Sequence, residues 1–236
     1  MAKRTYTDDE LIRRVWDVEE VKKLVYKRCV YTTNGWQSRE LDELWVSDPA
    51  LQKTASFGRN TGWYVGLDAI RGWYVKPSGT GYMAYDPAST GLVELAGDGK
   101  TAKALFYCIS QRTTPNGDGT AAAIWWPHKL AVDCVKENGQ WKIWHLVEAV
   151  DLASEAGEDY REQSPYIDYE NDPIFSEFGQ PTVPYLSHDA TFNWWDDYPG
   201  LPEPYDTFTD DISYGPEGYK PPKGKHYGAK EGGNYK

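Results

Sequence analysis

The sequence lacks long apolar runs. No stretch approaches the roughly 20 apolar residues that a helix needs to cross a bilayer, and the first ten residues are not followed by the apolar core of a signal peptide. Basic residues are also few, since 25 Lys and Arg against 36 Asp and Glu give a net charge of −11. Nucleic acids and anionic membranes bind basic surfaces. We therefore expect a cytoplasmic protein that binds neither.

Cysteines and catalytic sequence motifs are scarce as well. Cys29, Cys108 and Cys134 lie in apolar segments without the spacing of a metal site, so we expect buried, reduced thiols. The sequence contains no phosphate loop, nucleophile elbow or HExxH motif. Two strand histidines with a carboxylate could hold zinc or iron, but the ligand spacing is missing. We therefore predict no metal and no cofactor.

Tryptophan and tyrosine are abundant instead, with 11 Trp and 18 Tyr against 6 Phe and 2 Met. Such rings line pockets and interfaces, although a core built from Trp explains the same composition. Residues 151–236 hold ten of the fifteen prolines and ten of the eighteen tyrosines, without helical or strand periodicity. We predict a folded domain over residues 1–152. A long irregular Pro/Tyr/Trp-rich arm, residues 153–236, is expected to dock on its own or a neighbouring subunit.

The stretch Thr120–Asp151 is the most informative part of the chain. Two alternating apolar runs flank Asn138-Gly139, which predicts a β-hairpin because both turn residues tolerate positive φ. Alternation places His128 in an apolar row of the first strand. In the second strand it places His145 on one face with Trp141, Ile143, Val147 and Ala149. A lone buried histidine is more often structural than catalytic, but two on one hairpin favour a pocket.

Helical and strand periods divide the rest of the predicted domain. Helices are expected from Asp8 to about Thr32, from Ser38 to Val46 and from Leu67 to Val75. A short strand is expected over Thr54–Phe57, and strands over Gly91–Leu95 and Lys103–Arg112 precede the hairpin. Four consecutive strands therefore predict an antiparallel meander.

Three local motifs resemble those of a known family. They are LVYKRCVYTTNGW (24–36), GWYVGLDAIRGWYV (62–75) and AGDGKTAKALFY (96–107) with NGQWKIWHL (138–146). In this order they are similar to the nuclear transport factor 2-like families, closest to the SnoaL-like group that includes relatives of scytalone dehydratase and ketosteroid isomerase. The resemblance implies an α+β, cystatin-like cone, with N-terminal helices packed on a curved antiparallel sheet around an apolar pocket. It also implies proton-transfer chemistry without a cofactor, and a homodimer or homotrimer.

The usual site residues of that group are not all reproduced here. SnoaL-like enzymes often carry an Asp near the end of the first helix and a His before the first meander strand. The matching positions hold Thr32 (or Tyr31) and Tyr85 (or Asp86). His128 and His145, on neighbouring strands, are the available replacements.

We predict an acid–base pocket with His128 as the base, His145 as its partner and Tyr31 as a catalytic hydrogen-bond donor. The predicted substrate-binding residues are Tyr26, Thr32, Arg59, Trp63, Tyr85, Trp126 and Trp141. The function expected is that of a cofactor-independent lyase, a dehydratase or a retro-aldol carbon–carbon lyase, acting on a hydroxylated aromatic or polycyclic small molecule. Two alternatives stay open: a non-catalytic module that binds hydrophobic ligands or an assembly partner, and a ketosteroid-type isomerase.

Overall fold

The computed structural model of the chain describes residues 5–59, 62–75, 83–115, 118–150, 154–157, 183–184 and 199–218. The helices in this part of the chain are α1 Asp8–Thr33, α2 Gln37–Glu43, α3 Pro49–Thr54 and α4 Leu67–Tyr74. The strands are β1 Ser56–Arg59, β2 Gly62–Val65, β3 Ala84–Tyr85, β4 Ala88–Leu95, β5 Thr101–Pro115, β6 Ala121–Glu137, β7 Gln140–Val150, β8 Ser154–Glu155 and β9 Val183–Pro184. None of the described helices is long and apolar enough to cross a membrane.

The strands form one curved, open sheet. Strands β4 to β7 pair antiparallel in sequence order, as predicted. Asn138 and Gly139, with φ of 49° and 81°, close the β6–β7 hairpin. Strand β1 pairs with β7 in parallel, which the predicted antiparallel meander did not include. Helices on a curved mixed sheet give the α+β, cystatin-like cone that the sequence predicts.

The long helix α1 packs on the concave face of the sheet. Thr7 caps its N-terminus by accepting a hydrogen bond from the backbone N–H of Glu10, whose carboxylate accepts the backbone N–H of Thr7 in return. Residues spaced by three or four share one helix face, which brings Val21, Val25 and Arg28 onto the inward stripe. All three are buried.

Several predicted boundaries differ from those observed, and two of the differences have a clear cause. Helix α2 ends at Glu43 and not at Val46, because Trp45 leaves the helix and bridges to Ile143 of β7. Strand β1 begins at Ser56 and not at Thr54, since Thr54 is the last residue of α3 and Ala55 is its C-cap. That helix was not predicted, and the Asp48 side chain caps its N-terminus.

The concave face of the sheet changes from apolar to polar along its strands. At one end Val132 and Cys134 of β6 pack with Ile143 and Leu146 of β7 in the main core. At the other end the strand registers bring together side chains of a different kind, namely Arg59, Ser110, Arg112, Trp126, His128 and Glu148. The polar end is therefore where chemistry is expected.

A β-bulge in β7 reverses the direction of the side chains that follow it. Cys134 pairs with Ile143, whereas the preceding Asp133 pairs with His145, so Trp144 is an extra residue in β7. The prediction that His145 shares a face with Ile143 is therefore wrong. Ile143 lies in the core between sheet and helices, and His145 lies on the outer face.

Residues 199–218 cover part of this outer face. The Asp133 Oδ2 atom accepts the backbone N–H of Tyr214 at 2.7 Å and the Ser213 hydroxyl at 3.1 Å. The indole N–H of Trp63 donates to the Tyr214 carbonyl oxygen at 3.3 Å. This segment thus docks on the sheet of its own chain, while the division of the chain into residues 1–152 and 153–236 stays a prediction.

The same carboxylate holds two basic side chains. Lys103 Nζ donates to Asp133 Oδ1 at 2.7 Å, and His145 Nδ1 lies 3.0 Å from Oδ2. Burial alone would raise the pKa of Asp133, but Lys103 and His145 outweigh it, and the pKa lies below its ordinary value. A charged Asp133 therefore links the sheet to residues 199–218.

Replacing Asp133 with alanine is expected to destabilise the protein by about 3–5 kcal/mol, because Lys103 would keep a buried charge without this partner. Urea unfolding followed by circular dichroism measures the loss. Asp68→Ala is the control, because Asp68 is exposed on α4 and its loss is expected to change stability by about 0.5 kcal/mol or less. Similar losses in the two variants would contradict this role of Asp133.

Candidate active site

The Arg28 guanidinium lies at the centre of the polar end of the cone. Its side chain is fully buried and ion-paired with Asp86, which precedes β4, and with Glu148 of β7. The Nε atom lies 3.9 Å from Glu40 of α2. One helical side chain therefore joins a second helix, a connecting segment and the sheet.

Glu148 receives three guanidinium groups. Besides Arg28, the Nη2 atom of Arg59 lies 2.6 Å and that of Arg112 lies 3.6 Å from Glu148 Oε2. Burial alone would raise the pKa of Glu148, but Arg59, Arg28 and Arg112 together hold it well below its ordinary value. Glu148 is thus charged and fixes the positions of the arginines.

His128 lies beside Asp86 on the same concave face. Its Nδ1 atom is 3.1 Å from the Trp126 carbonyl oxygen, and its Nε2 atom is 3.5 Å from Asp86 Oδ1. The Ser110 hydroxyl donates to the same carboxylate oxygen. Because a carbonyl oxygen only accepts hydrogen bonds, Nδ1 carries the proton in neutral His128, and Nε2 presents a lone pair.

The charge states of this pair favour a resting base with a counter-ion. Burial lowers the pKa of His128, and Asp86 opposes that shift only in part. Burial alone would raise the pKa of Asp86, but Arg28 and His128 outweigh it and the pKa is lowered. At neutral pH the imidazole is neutral and the carboxylate is charged. A proton accepted at Nε2 would then be stabilised by Asp86.

Two predicted substrate-binding residues lie near His128. Trp126 precedes it by two residues on β6 and faces the same side of the sheet. The Arg59 guanidinium carbon is 5.9 Å from the centre of the Trp126 ring and 4.8 Å from that of Trp73. The structure therefore brings together Arg59, Trp126 and His128.

The predicted partnership between the two histidines is not observed. His145 lies across the sheet, where the Asp133 carboxylate and the Ser213 hydroxyl both lie 3.0 Å from its Nδ1. A serine nucleophile needs its hydroxyl on one imidazole nitrogen and the carboxylate on the other. This arrangement is therefore a structural anchor, and His145 does not face His128.

The other predicted residues are distributed over the fold. Tyr31 donates to Glu43 at 2.6 Å, and Thr32 bonds to the Tyr74 hydroxyl at 3.0 Å beside Glu40. Trp63 contacts residues 199–218 on the outer face, and the Trp141 indole donates to Asp17 of α1. Tyr26 and Tyr85 are about half exposed. The structure does not bring these side chains together beside His128, and the polar groups of Tyr31, Thr32, Trp63 and Trp141 bond to other residues.

A metal ion does not fit the polar end. Ligand atoms of Asp86, Cys108 and His128 lie within 4.8 Å of one another. However, contact with Cys29 and burial raise the pKa of the Cys108 thiol, whereas a metal binds the thiolate. Arg28 already occupies the carboxylate of Asp86 and repels a cation.

A surface cavity of about 440 Å³ lies elsewhere, between the turn after α1 and the end of α4. Its lining includes Trp36, Arg39 and Val75 and does not include His128. It is thus separate from the base.

Sequence reasoning identified Arg59 but missed other charged residues that build this site. Arg28 carried a usable signal, because it follows Leu24 by four residues on the apolar stripe of α1. The sequence gives no such signal for Glu148. Strict alternation places Glu148 on the outer face of the sheet, and only the bulge in β7 turns its side chain to the concave face. Asp86 was considered as a replacement for a family histidine, but nothing in the sequence pairs it with His128.

The sequence profile of the SnoaL-like domain matches residues 13–147, more than half of the 236 residues. The chain belongs to the SnoaL-like family. The matched region of this SnoaL-like chain contains Arg28, Asp86 and His128 and ends one residue before Glu148. No curated protein sequence matches the chain.

Solved structures share the fold at low sequence identity. A type 2 hexachlorocyclohexane dehydrochlorinase (LinA) superposes with a TM-score of 0.51 and 11% identity, covering 63% of this chain and 95% of the other. A protein described as a proposed aromatic ring hydroxylase from Novosphingobium aromaticivorans superposes with a TM-score of 0.50 and 14% identity, covering 60% of this chain and 94% of the other. A proposed scytalone dehydratase from the same organism superposes with a TM-score of 0.49 and 10% identity, covering 62% of this chain and 92% of the other. At these identities the first two establish the fold alone.

The buried carboxylates predict how stability depends on pH. Because the pKa of Glu148 is lowered from an ordinary 4.5, and that of Asp86 from 3.8, the unfolded chain binds more protons than the folded one just below these values. Their stabilisation is complete above about pH 5 and is expected to be lost as the pH falls through the folded values. Chemical unfolding between about pH 2 and 6 measures it.

Glu148→Gln is the matched variant for this effect. We expect lower stability at neutral pH and a smaller change on acidification than in the unmodified protein, because one titrating carboxylate is gone. Glu19→Gln, on the exposed part of α1, should keep the original pH dependence. An unchanged slope in Glu148→Gln would exclude Glu148 as a source of the effect.

Proposed function

We propose that this SnoaL-like protein is a cofactor-independent lyase in which His128 is the general base. The observation that carries the proposal is the geometry of this buried imidazole, with Nδ1 directed at a backbone carbonyl and Nε2 3.5 Å from Asp86. A fixed tautomer, a lowered pKa and an adjacent carboxylate are the features of a base that works at neutral pH.

The reaction proposed is the elimination of water from a hydroxylated aromatic or polycyclic molecule. Nε2 removes a proton from the carbon next to the one bearing the hydroxyl group, and the C–H electrons form the double bond. The C–O bond breaks, and the departing oxygen takes a proton back from the imidazolium and leaves as water. Asp86 stabilises the imidazolium in between.

Retro-aldol cleavage is compatible with the same residues. There Nε2 removes the hydroxyl proton, the adjacent carbon–carbon bond breaks, and the electrons move onto an enolate. Arg59, whose guanidinium carbon is 5.9 Å from the Trp126 ring centre, would offset that negative charge. The structural neighbour named as a dehydrochlorinase is named for an elimination. That name supports an elimination, here the loss of water, as the first reaction to test.

A non-catalytic binding role is favoured by one observation. His128 is 1% exposed, so a substrate must displace neighbouring side chains to reach Nε2. A protein that only binds would quench or shift Trp fluorescence without forming product. Mass spectrometry separates the cases, because dehydration gives a product lighter by one water, cleavage gives two fragments, and a ketosteroid-type isomerisation leaves the mass unchanged.

Partners proposed for the chain are a small-molecule substrate and copies of itself. Tyr107 and Ile109 of β5 and Trp125 of β6 are 45%, 60% and 40% exposed on the outer face of the sheet. Residues 199–218 cover another part of that face. The apolar patch supports a homo-oligomer, a dimer or trimer, which stays a prediction.

Replacing His128 with asparagine is expected to lower kcat by about 10²–10⁴-fold on whichever hydroxylated aromatic compound the protein converts, because the base is removed. Liquid chromatography with mass spectrometry of a compound panel measures it. His145→Asn is the control, since that ring lies on the other face, and its kcat should be retained once folding is verified. Full activity in His128→Asn would overturn the proposal.

The pH profile tests the Asp86 counter-ion separately. His128 acts as a base when neutral, and its pKa is lowered from 6.5, so kcat/KM is expected to be constant at neutral pH and to fall only below pH 6.5. Asp86 raises the pKa of His128, so Asp86→Asn should move this acid limb to still lower pH. If the acid limb of the kcat/KM profile stays in place or moves to higher pH in Asp86→Asn, Asp86 is not the counter-ion of His128.

A further inference from the structure

Several buried polar atoms at the polar end, Arg28 Nε and Glu148 Oε2 among them, have no hydrogen-bond partner among the described residues. Three others lie next to the proposed base, namely Arg59 Nε, the indole Nε1 of Trp126 and Nε2 of His128. The first two are donors, and the third is an acceptor in the tautomer derived above. An unpaired buried donor costs about 1–3 kcal/mol, so two such donors point to a ligand that supplies acceptors.

The two donors lie next to the base. Trp126 and His128 are two residues apart on β6, and their side chains share the concave face. Arg59 lies in register with Glu148 on the parallel strand β1, and its guanidinium is 5.9 Å from the Trp126 ring centre. A ligand group that meets Arg59 and Trp126 is therefore close to His128.

The charge around Arg59 favours an anionic ligand group over a neutral one. The carboxylate within ion-pair distance of Arg59 in the described part of the chain is Glu148, and Arg28 and Arg112 share it. Asp86 is paired with Arg28 and faces His128. One shared carboxylate only partly offsets the positive charge at Arg59.

We propose that the substrate is an organic acid, whose carboxylate binds Arg59 and the indole N–H of Trp126 while its reacting carbon faces His128. That this ligand is a substrate rests on the proposed function. The inference adds that the substrate carries a carboxylate. A carboxylate supplies two oxygens with several acceptor positions and one negative charge, which matches both donors and the local field. A neutral amide of the same shape offers one oxygen and no charge.

Equilibrium binding tests the inference without requiring turnover. Isothermal titration of the full-length chain with 2-naphthoate and with 2-naphthamide compares two probes of nearly equal shape that differ in charge. The carboxylate is expected to bind at least about tenfold more tightly than the amide, because its hydrogen bond to a charged donor is the stronger one.

Two variants then test whether Arg59 and Trp126 cause the preference for the carboxylate over the amide. Arg59→Gln should weaken 2-naphthoate binding by about tenfold to a hundredfold and leave 2-naphthamide within about twofold. Trp126→Phe keeps the ring but removes the N–H, and should weaken 2-naphthoate by a smaller factor of about fivefold. Arg39→Gln is the matched control, because Arg39 also lies over two aromatic rings, 5.0 Å from Tyr31 and 5.5 Å from Trp36, but at the surface.

The outcomes separate this inference from the proposed lyase function. Carboxylate preference that is lost in Arg59→Gln and kept in Arg39→Gln supports it, even if His128→Asn shows no catalytic defect. Equal affinity for the two probes, no binding of either, or a preference that survives Arg59→Gln overturns it, and each of these leaves the role of His128 to be decided by turnover. If Arg59→Gln does not fold, the probe pair and Trp126→Phe still decide the question.

Discussion

The burial of one positive charge constrains the architecture of this SnoaL-like protein. Arg28 is fully enclosed, and a charge removed from water is tolerated only when several partners face it. Those partners, Asp86, Glu148 and Glu40, come from three separate elements. Because each partner must be in place, the segment before β4 and the second helix are held against the sheet. Arg28 holds Asp86 in place, and Asp86 in turn lies beside His128.

The protein keeps two charged clusters apart by placing them on opposite faces of one sheet. Inside, carboxylates meet arginines, which stay charged and hold their positions through planar, branched groups. Outside, Asp133 meets Lys103, His145 and the backbone of residues 199–218. The inner cluster contains the proposed base, His128, near the unpaired donors of Arg59 and Trp126, whereas both oxygens of Asp133 are engaged by Lys103, His145 and residues 213–214. Chemistry is therefore expected inside, and attachment of the chain's own segment outside.

Family membership and local geometry contribute different parts of the functional conclusion. The SnoaL-like match and the solved structures establish the cone, and a cone supports many functions. What narrows the function is the set of side chains at the polar end of the concave face. An imidazole facing a carboxylate is suited to proton transfer, and this geometry is what the proposed function of His128 rests on. The inner charge pattern of this chain is thus more informative than its fold.

The sequence by itself determined the elements of the cone. Local rules were sufficient for α1 with its Thr7 cap, for the Asn138-Gly139 turn and for the inward direction of His128, because each depends on neighbours a few residues away. Only the tertiary structure decided what His128 faces and where His145 lies. A single bulge residue inverts every later side chain of β7, and the Arg28–Asp86 pair joins residues 58 positions apart. Neither effect leaves a local pattern, because both depend on how separate strands and helices come into register.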